Sequence, residues 1–104
     1  MNETFKSLPS KNINGGIQYI FKAPNGYGAS IVQHQFSYGH EQGLWELAVT
    51  KYTSEKDWNI CYDTHITSDV LGHLTDEEVE STLEAIKALQ PEIERVETNE
   101  LEYE

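Results

Sequence analysis

A short acidic segment that begins at residue 74 constrains the fold most, because it carries a complete signal for the start of a helix. The Thr75 hydroxyl can accept a hydrogen bond from the Glu78 N–H, and the Glu78 carboxylate can accept one from the Thr75 N–H. Leu74 and Val79 flank this capping box and can pack on each other as a hydrophobic staple. Apolar residues then recur at helical spacing until the next proline, so the sequence predicts a helix over 75–90.

The chain before this helix has a different period, in which apolar and polar residues alternate as they do in half-buried strands. The alternation is clearest where Trp45, Leu47 and Val49 share one side of a run. Other such runs are separated by turn-forming residues, and they cover 17–23, 27–36 and 58–65. The expected fold class is α+β, with a four-stranded antiparallel meander sheet packed against one C-terminal helix.

At 104 residues the chain is expected to form a single domain, since neither its strand-rich part nor its helical part could bury a core alone. The predicted parts are a polar leader over 1–16, the antiparallel sheet over 17–65, the helix over 75–90 and an acidic, flexible tail over 91–104. The first residues lack the layout of a secretory signal, and no apolar run is long enough to span a membrane. We therefore expect a cytoplasmic protein.

Acidic residues outnumber basic ones by eighteen to seven, which gives a net charge of −11 and argues against binding to nucleic acid or to an anionic membrane. Most of this charge follows residue 74, and the helix dipole explains only the acidic residues of the first helical turn. An acidic surface for a protein partner is therefore predicted. Its candidate residues are Asp76, Glu77, Glu80 and Glu84 on the helix, together with the turn aromatics Tyr27 and Tyr38.

Cys61, Asp63 and His65 are candidates for a metal site, since alternate positions of one strand place their side chains on the same face. Thiolate and imidazole suit zinc, and a histidine from elsewhere could complete a tetrahedral set. The sequence has no second cysteine, so no metal, no cofactor and no internal disulfide are predicted. In this interpretation the three candidates lie on the solvent face, opposite Trp58, Ile60 and Tyr62, which face the core.

Three segments of the chain share features with a known group of proteins. Residues 25–30 read Asn-Gly-Tyr-Gly-Ala-Ser, and residues 43–49 read Gly-Leu-Trp-Glu-Leu-Ala-Val. Residues 62–79 begin with Tyr-Asp-Thr and end with Leu-Thr-Asp-Glu-Glu-Val. Together they resemble small uncharacterised accessory proteins of tailed bacteriophages, over about 14–90. The resemblance implies an accessory protein that acts inside an infected bacterium, and it carries no catalytic residues.

The leading functional hypothesis is a non-catalytic phage accessory protein that binds a host or phage protein through its acidic surface. One alternative is an acidic nucleic-acid mimic that inhibits a DNA-binding enzyme of the host. Another alternative, from a different class, is a small metal-dependent enzyme that uses Cys61, Asp63 and His65.

Overall fold

The computed structural model describes residues 4–54, 57–62, 64, 66 and 69–90. These residues form one antiparallel sheet with an α-helix packed on one of its faces, which confirms the predicted α+β class. The elements in chain order are β1 (Ser10–Ile13), β2 (Gly16–Lys22), β3 (Tyr27–Gln33), β4 (Trp45–Tyr52), β5 (Trp58–Ile60), β6 (Leu71–Leu74) and α1 (Asp76–Lys87). Two short 3-10 turns, Phe5–Ser7 and His40–Gln42, precede β1 and β4.

The longest strand, β4, pairs with three neighbours and organises the sheet. Along one edge it pairs with β3, beyond which β2 and β1 follow as antiparallel neighbours. Along the other edge, β5 pairs with Thr50–Tyr52 and β6 pairs with the beginning of β4. The described residues therefore form six strands rather than the four predicted.

The two additional strands, β1 and β6, arise from turns and long-range pairing rather than from strand propensity. β1 falls in the predicted polar leader and has no apolar alternation. It pairs with β2 because Asn14 and Gly15, both at positive φ, turn the chain back on itself. β6 contains Gly72, and a bulge interrupts its pairing with β4.

One face of the sheet and one side of α1 form the core. Trp45, Leu47 and Val49 lie on this face, as their alternation predicted. The side of the helix that packs on the sheet contributes Val79, Leu83 and Ile86, and the core continues to Leu89. Burying a large aliphatic side chain stabilises the fold by about 1.5–3 kcal/mol. This layer therefore holds the helix on the sheet.

The segment predicted as a polar leader contributes an aromatic residue to the core. Phe5 is 2% exposed, and its ring makes edge-to-face contacts with Tyr19 and Trp45 at centroid distances of 5.5 and 5.1 Å. The Thr4 hydroxyl caps the 3-10 turn by accepting a hydrogen bond from the Lys6 N–H. This turn closes the core at the end where α1 begins.

The strand β5 presents the opposite face to the one predicted. Its register pairs Ile60 with Thr50, so Ile60 lies on the side of the sheet away from α1 and is exposed. Cys61 lies on the helix side and is buried in the core, whereas Tyr62 is 51% exposed. The prediction that Trp58, Ile60 and Tyr62 face the core is therefore wrong; Trp58 pairs with Tyr52, lies on the same side as Ile60 and is half-buried. A shift of one residue exchanges the faces of a strand, and the alternation does not specify that shift here because Cys61, between Ile60 and Tyr62, is itself apolar.

The capping box at the start of α1 is confirmed. The Glu78 N–H donates to the Thr75 hydroxyl at 3.2 Å, and the Thr75 N–H donates to the Glu78 carboxylate at 2.9 Å. The helix ends at Lys87 rather than at residue 90. There Asn25, from the turn between β2 and β3, donates a hydrogen bond of 2.8 Å to the carbonyl of Ile86.

Among the described residues, no helix combines the length and the apolar character needed to cross a membrane. The predicted acidic tail over 91–104 lies outside the described residues, and so do Asp63 and His65.

Candidate functional site

Two of the four predicted acidic helix residues, Asp76 and Glu80, bind the 3-10 turn Phe5–Ser7, called the N-terminal turn below. The Lys6 ammonium lies 2.9 Å from one Asp76 carboxylate oxygen, and the Trp45 indole N–H donates to the other at 2.8 Å. The hydrogen bond from Lys6, followed by that from Trp45, lowers the pKa of Asp76 below its ordinary value. Slight burial of the carboxylate acts in the opposite direction. One helical turn later, the Phe5 N–H donates to the Glu80 carboxylate at 2.6 Å.

The other two predicted helix residues face solvent. Glu77 is exposed in the first turn of α1. The Glu84 carboxylate lies 2.6 Å from the Lys87 ammonium, an exposed pair one turn apart that contributes little stability. Glu77 and Glu84 are therefore the members of the predicted acidic surface that a partner could reach without displacing the N-terminal turn.

The two predicted aromatic residues have opposite environments. Tyr27 is 3% exposed, because the first residue of β3 points into the core beneath α1. This burial removes Tyr27 from the candidate contact surface. Tyr38 is 61% exposed in the connection between β3 and β4.

The β3–β4 loop, residues 34–44, holds its aromatic side chains out in solvent through a network of local hydrogen bonds. The Ser37 hydroxyl is buried, donates to the His34 carbonyl at 2.9 Å and accepts from the His34 N–H at 3.0 Å. The Phe36 N–H donates to His34 Nδ1 at 3.1 Å. Phe36, which the sequence interpretation missed, is 72% exposed, so two large rings project on either side of the buried serine.

The same loop is fixed to the neighbouring strands. The Tyr38 N–H donates to the Glu46 carboxylate of β4 at 3.0 Å. Gly39 has φ of +90°, and a Cβ atom at this position would lie 3.0 Å from the His73 Cα. A Cβ atom at Gly72 would lie 2.7 Å from the Tyr38 Cβ. The loop and β6 approach this closely because both glycines lack a side chain.

Between the β3–β4 loop and β6 lies an open, polar cavity of about 250 Å³. The residues that line it include Gln35, Tyr38, His40, Glu41, Gln42 and His73. His73 belongs to the β6 bulge and has φ of +56°, a left-handed conformation that is uncommon for a residue with a Cβ.

The three candidate metal ligands of the sequence, Cys61, Asp63 and His65, are not seen together in the structure. Cys61 is buried among apolar core residues and does not lie on the solvent face where the sequence placed it. Asp63 and His65 are outside the described residues. Within the part of the chain that the structure describes, no three His, Cys, Asp or Glu side chains gather as metal ligands would.

No family model matches the chain, and no curated protein or solved structure matches it either.

Proposed function

We propose that this chain is a non-catalytic protein-binding factor, with its contact surface where the β3–β4 loop meets the beginning of α1. The observation that carries the proposal is the exposure of Phe36 and Tyr38 on a loop that is already fixed by hydrogen bonds. Aromatic side chains are enriched at protein interfaces and supply much of their binding energy. Because the loop is ordered before binding, association loses less conformational entropy.

The acidic helix supplies the electrostatic part of this surface. The loop leads into Trp45, whose indole binds Asp76, so the loop and the first turn of α1 lie at the same end of the sheet. Glu77 is exposed in that turn, and the whole chain carries a net charge of −11. The partner is therefore a protein with a basic surface around an apolar depression. The resemblance to phage accessory proteins extends the proposal to a host or phage protein as that partner.

The test is capture of a partner from bacterial lysate on the immobilised chain, identification by mass spectrometry, and a binding titration with the purified partner. Replacing Phe36 and Tyr38 by serine together should weaken binding by at least about tenfold, as expected for central aromatic contacts. Tyr62→Ser is the matched control, because Tyr62 is 51% exposed but lies outside the loop. Equal binding by the double variant and the control would refute the proposed surface.

The contribution of the acidic helix is tested with Glu77→Gln combined with Glu84→Gln. This variant should weaken binding of the same partner, and raising the salt from about 50 to about 300 mM should weaken binding by the unmodified chain. Duplex DNA is added as a competitor. If DNA displaces the partner, the chain occupies a nucleic-acid site and acts as a nucleic-acid mimic; if DNA has no effect, the partner is bound as a protein surface.

A further inference from the structure

The cavity between the β3–β4 loop and β6 lies beside the exposed aromatic rings and has a chemistry of its own. The residues that line it carry one phenol, one carboxylate, two amides and two imidazoles: Tyr38, Glu41, Gln35, Gln42, His40 and His73. Within the described residues no ion pair neutralises Glu41, which is exposed on the 3-10 turn. The cavity therefore presents hydrogen-bond acceptors and one negative charge next to an aromatic side chain.

We propose that this cavity binds an arginine side chain of the partner. The inference rests on the proposed function, since it names the group on the partner that the acidic end of the molecule recognises. A guanidinium is a planar cation with five N–H donors, which pairs with carboxylates through two hydrogen bonds and stacks on aromatic rings. Glu41 supplies the carboxylate, and Tyr38 supplies the ring. A volume of about 250 Å³ accommodates one such side chain.

The bulge in β6 contributes a residue of this strand to the cavity, in addition to those of the β3–β4 loop. Gly72 and His73 lie between the residues of β6 that pair with Trp45 and Leu47, where β4 has Glu46 alone. His73, one of these two residues, takes a left-handed conformation that is uncommon for a residue with a Cβ, and it lines the cavity together with residues of the 3-10 turn. Strained conformations of this kind cluster at ligand-binding sites.

Other classes of small ligand fit the cavity less well. An anion would meet the Glu41 carboxylate within a chain of net charge −11. A lysine ammonium is a compact point charge, so it cannot use acceptors spread around a flat site as a guanidinium does. A resident metal ion would require more ligands than the described residues gather.

The experiment titrates the whole chain with Nα-acetyl-arginine amide, whose single charge is the guanidinium, and follows backbone amide shifts by NMR. Saturable shifts should be concentrated in 37–42 and 72–73, with the millimolar affinity typical of one isolated side chain, on the order of 1–10 mM. The citrulline analogue has the same shape without the charge and should bind at least fivefold more weakly. Equal responses to the two probes, or no saturable shift in these segments, would overturn the arginine site.

Variants assign the binding to named residues. Glu41→Gln and Tyr38→Ala should each reduce the affinity for the arginine probe at least fivefold, and both positions are exposed, so the fold is expected to survive. Asp57→Asn is the matched control, because it removes an exposed carboxylate from a different turn. If Asp57→Asn lowers the affinity for the arginine probe as much as Glu41→Gln does, the interaction is a general charge effect and the site is refuted.

Failure of this proposal is distinguishable from failure of the proposed function. The arginine probe reports on the cavity without any partner, whereas partner capture depends on Phe36 and Tyr38 as displayed rings. If Phe36→Ser weakens partner capture but the arginine probe causes no saturable shifts, the protein-binding surface is supported and only the arginine site is refuted.

Discussion

The side-chain amide of Asn25 donates a hydrogen bond to the carbonyl oxygen of Ile86 at 2.8 Å, and so joins the first long hairpin to the last turn of the helix. The same amide donates to the Leu89 carbonyl at 2.9 Å, while the Asn25 Oδ1 accepts from the Tyr27 N–H at 3.0 Å. One residue therefore closes a turn of the sheet and adds side-chain donors to carbonyls at the C-terminus of α1, where regular helical pairing ends. The Ile86 carbonyl also accepts a hydrogen bond from the Leu89 N–H at 3.1 Å.

Asn25→Asp should destabilise the fold by about 1–3 kcal/mol, because it replaces a donor with an anion beside carbonyl oxygens at the negative end of the helix dipole. Unfolding in urea, monitored by circular dichroism, measures the change. Asn12→Asp in β1 is the matched control, since Asn12 is exposed, and it should alter stability by less than about 0.5 kcal/mol. A similar loss in both variants would contradict the cap.

Thr75→Ala should cost about 1 kcal/mol of unfolding free energy, the usual value for loss of an N-cap side chain. The Glu78 N–H loses its acceptor, the Thr75 hydroxyl, whereas the Glu78 carboxylate still accepts from the backbone N–H of residue 75. Thr82→Ala should cost less, because the Thr82 hydroxyl only donates to a helical carbonyl that already has a backbone partner. Equal costs in denaturant unfolding would show that the box does not stabilise the helix start.

Phe5→Ala should destabilise the fold by about 3–5 kcal/mol, as large-to-small changes of buried aromatic residues do. The cavity left behind would adjoin Trp45, so the tryptophan fluorescence of the folded state should also change. Phe36→Ala removes the same ring from an exposed position and should cost far less. Matching losses for Phe5 and Phe36 would show that the N-terminal turn is not part of the core.

The Asp76 carboxyl is expected to make stability depend on pH. Hydrogen bonds from Lys6 and Trp45 lower its pKa in the folded state, so it stabilises the fold above its unfolded pKa, and this contribution is lost as the pH falls through the folded pKa. The difference in unfolding free energy between the unmodified chain and Asp76→Asn should therefore be fully present near pH 6 and shrink below about pH 4.

Glu77→Gln is the control for the pH experiment, because it removes one exposed charge from the same helical turn. A difference that stays constant between about pH 6 and pH 3 for Asp76→Asn would contradict the lowered pKa.

The Cys61 thiol should react with an aromatic disulfide reagent at least about a hundredfold more slowly in the folded chain than in denaturant, because a buried thiol reacts only after local opening. Addition of a chelator before the reagent should leave the folded-state rate unchanged. Acceleration by the chelator would restore the zinc alternative, since it would mean that a bound metal had protected the sulfur.

The parts of the fold that follow from local chemistry could be predicted from the sequence. The Thr75 and Glu78 pair requires contacts within one helical turn, and the faces of Trp45, Leu47 and Val49 follow from a strict alternation. The orientation of β5 could not be predicted, because its register depends on pairing with Thr50 and a shift of one residue exchanges its faces.

The candidate site was predicted only in part, because its contacts join segments that are distant in the chain. The positions of Asp76 and Glu80 on the helix were evident, but their engagement by Lys6 and Phe5 links the two ends of the described chain. Phe36 lies in a turn that the sequence marks with glycines and polar residues. No pattern in the neighbouring residues indicates that Ser37 would be buried and the ring of Phe36 exposed.

The division of one edge of β4 between β5 and β6 limits the growth of the sheet by strand addition. An unprotected edge can template the pairing of strands from other chains and so start fibrils, for which segments of about six or seven residues suffice. At this edge the described residues present strands of three and four residues, and β1 at the opposite edge has four residues, including Lys11. Each of these described strands is shorter than such a segment, so strand addition at these edges is disfavoured by the same architecture that displays an aromatic loop in solvent.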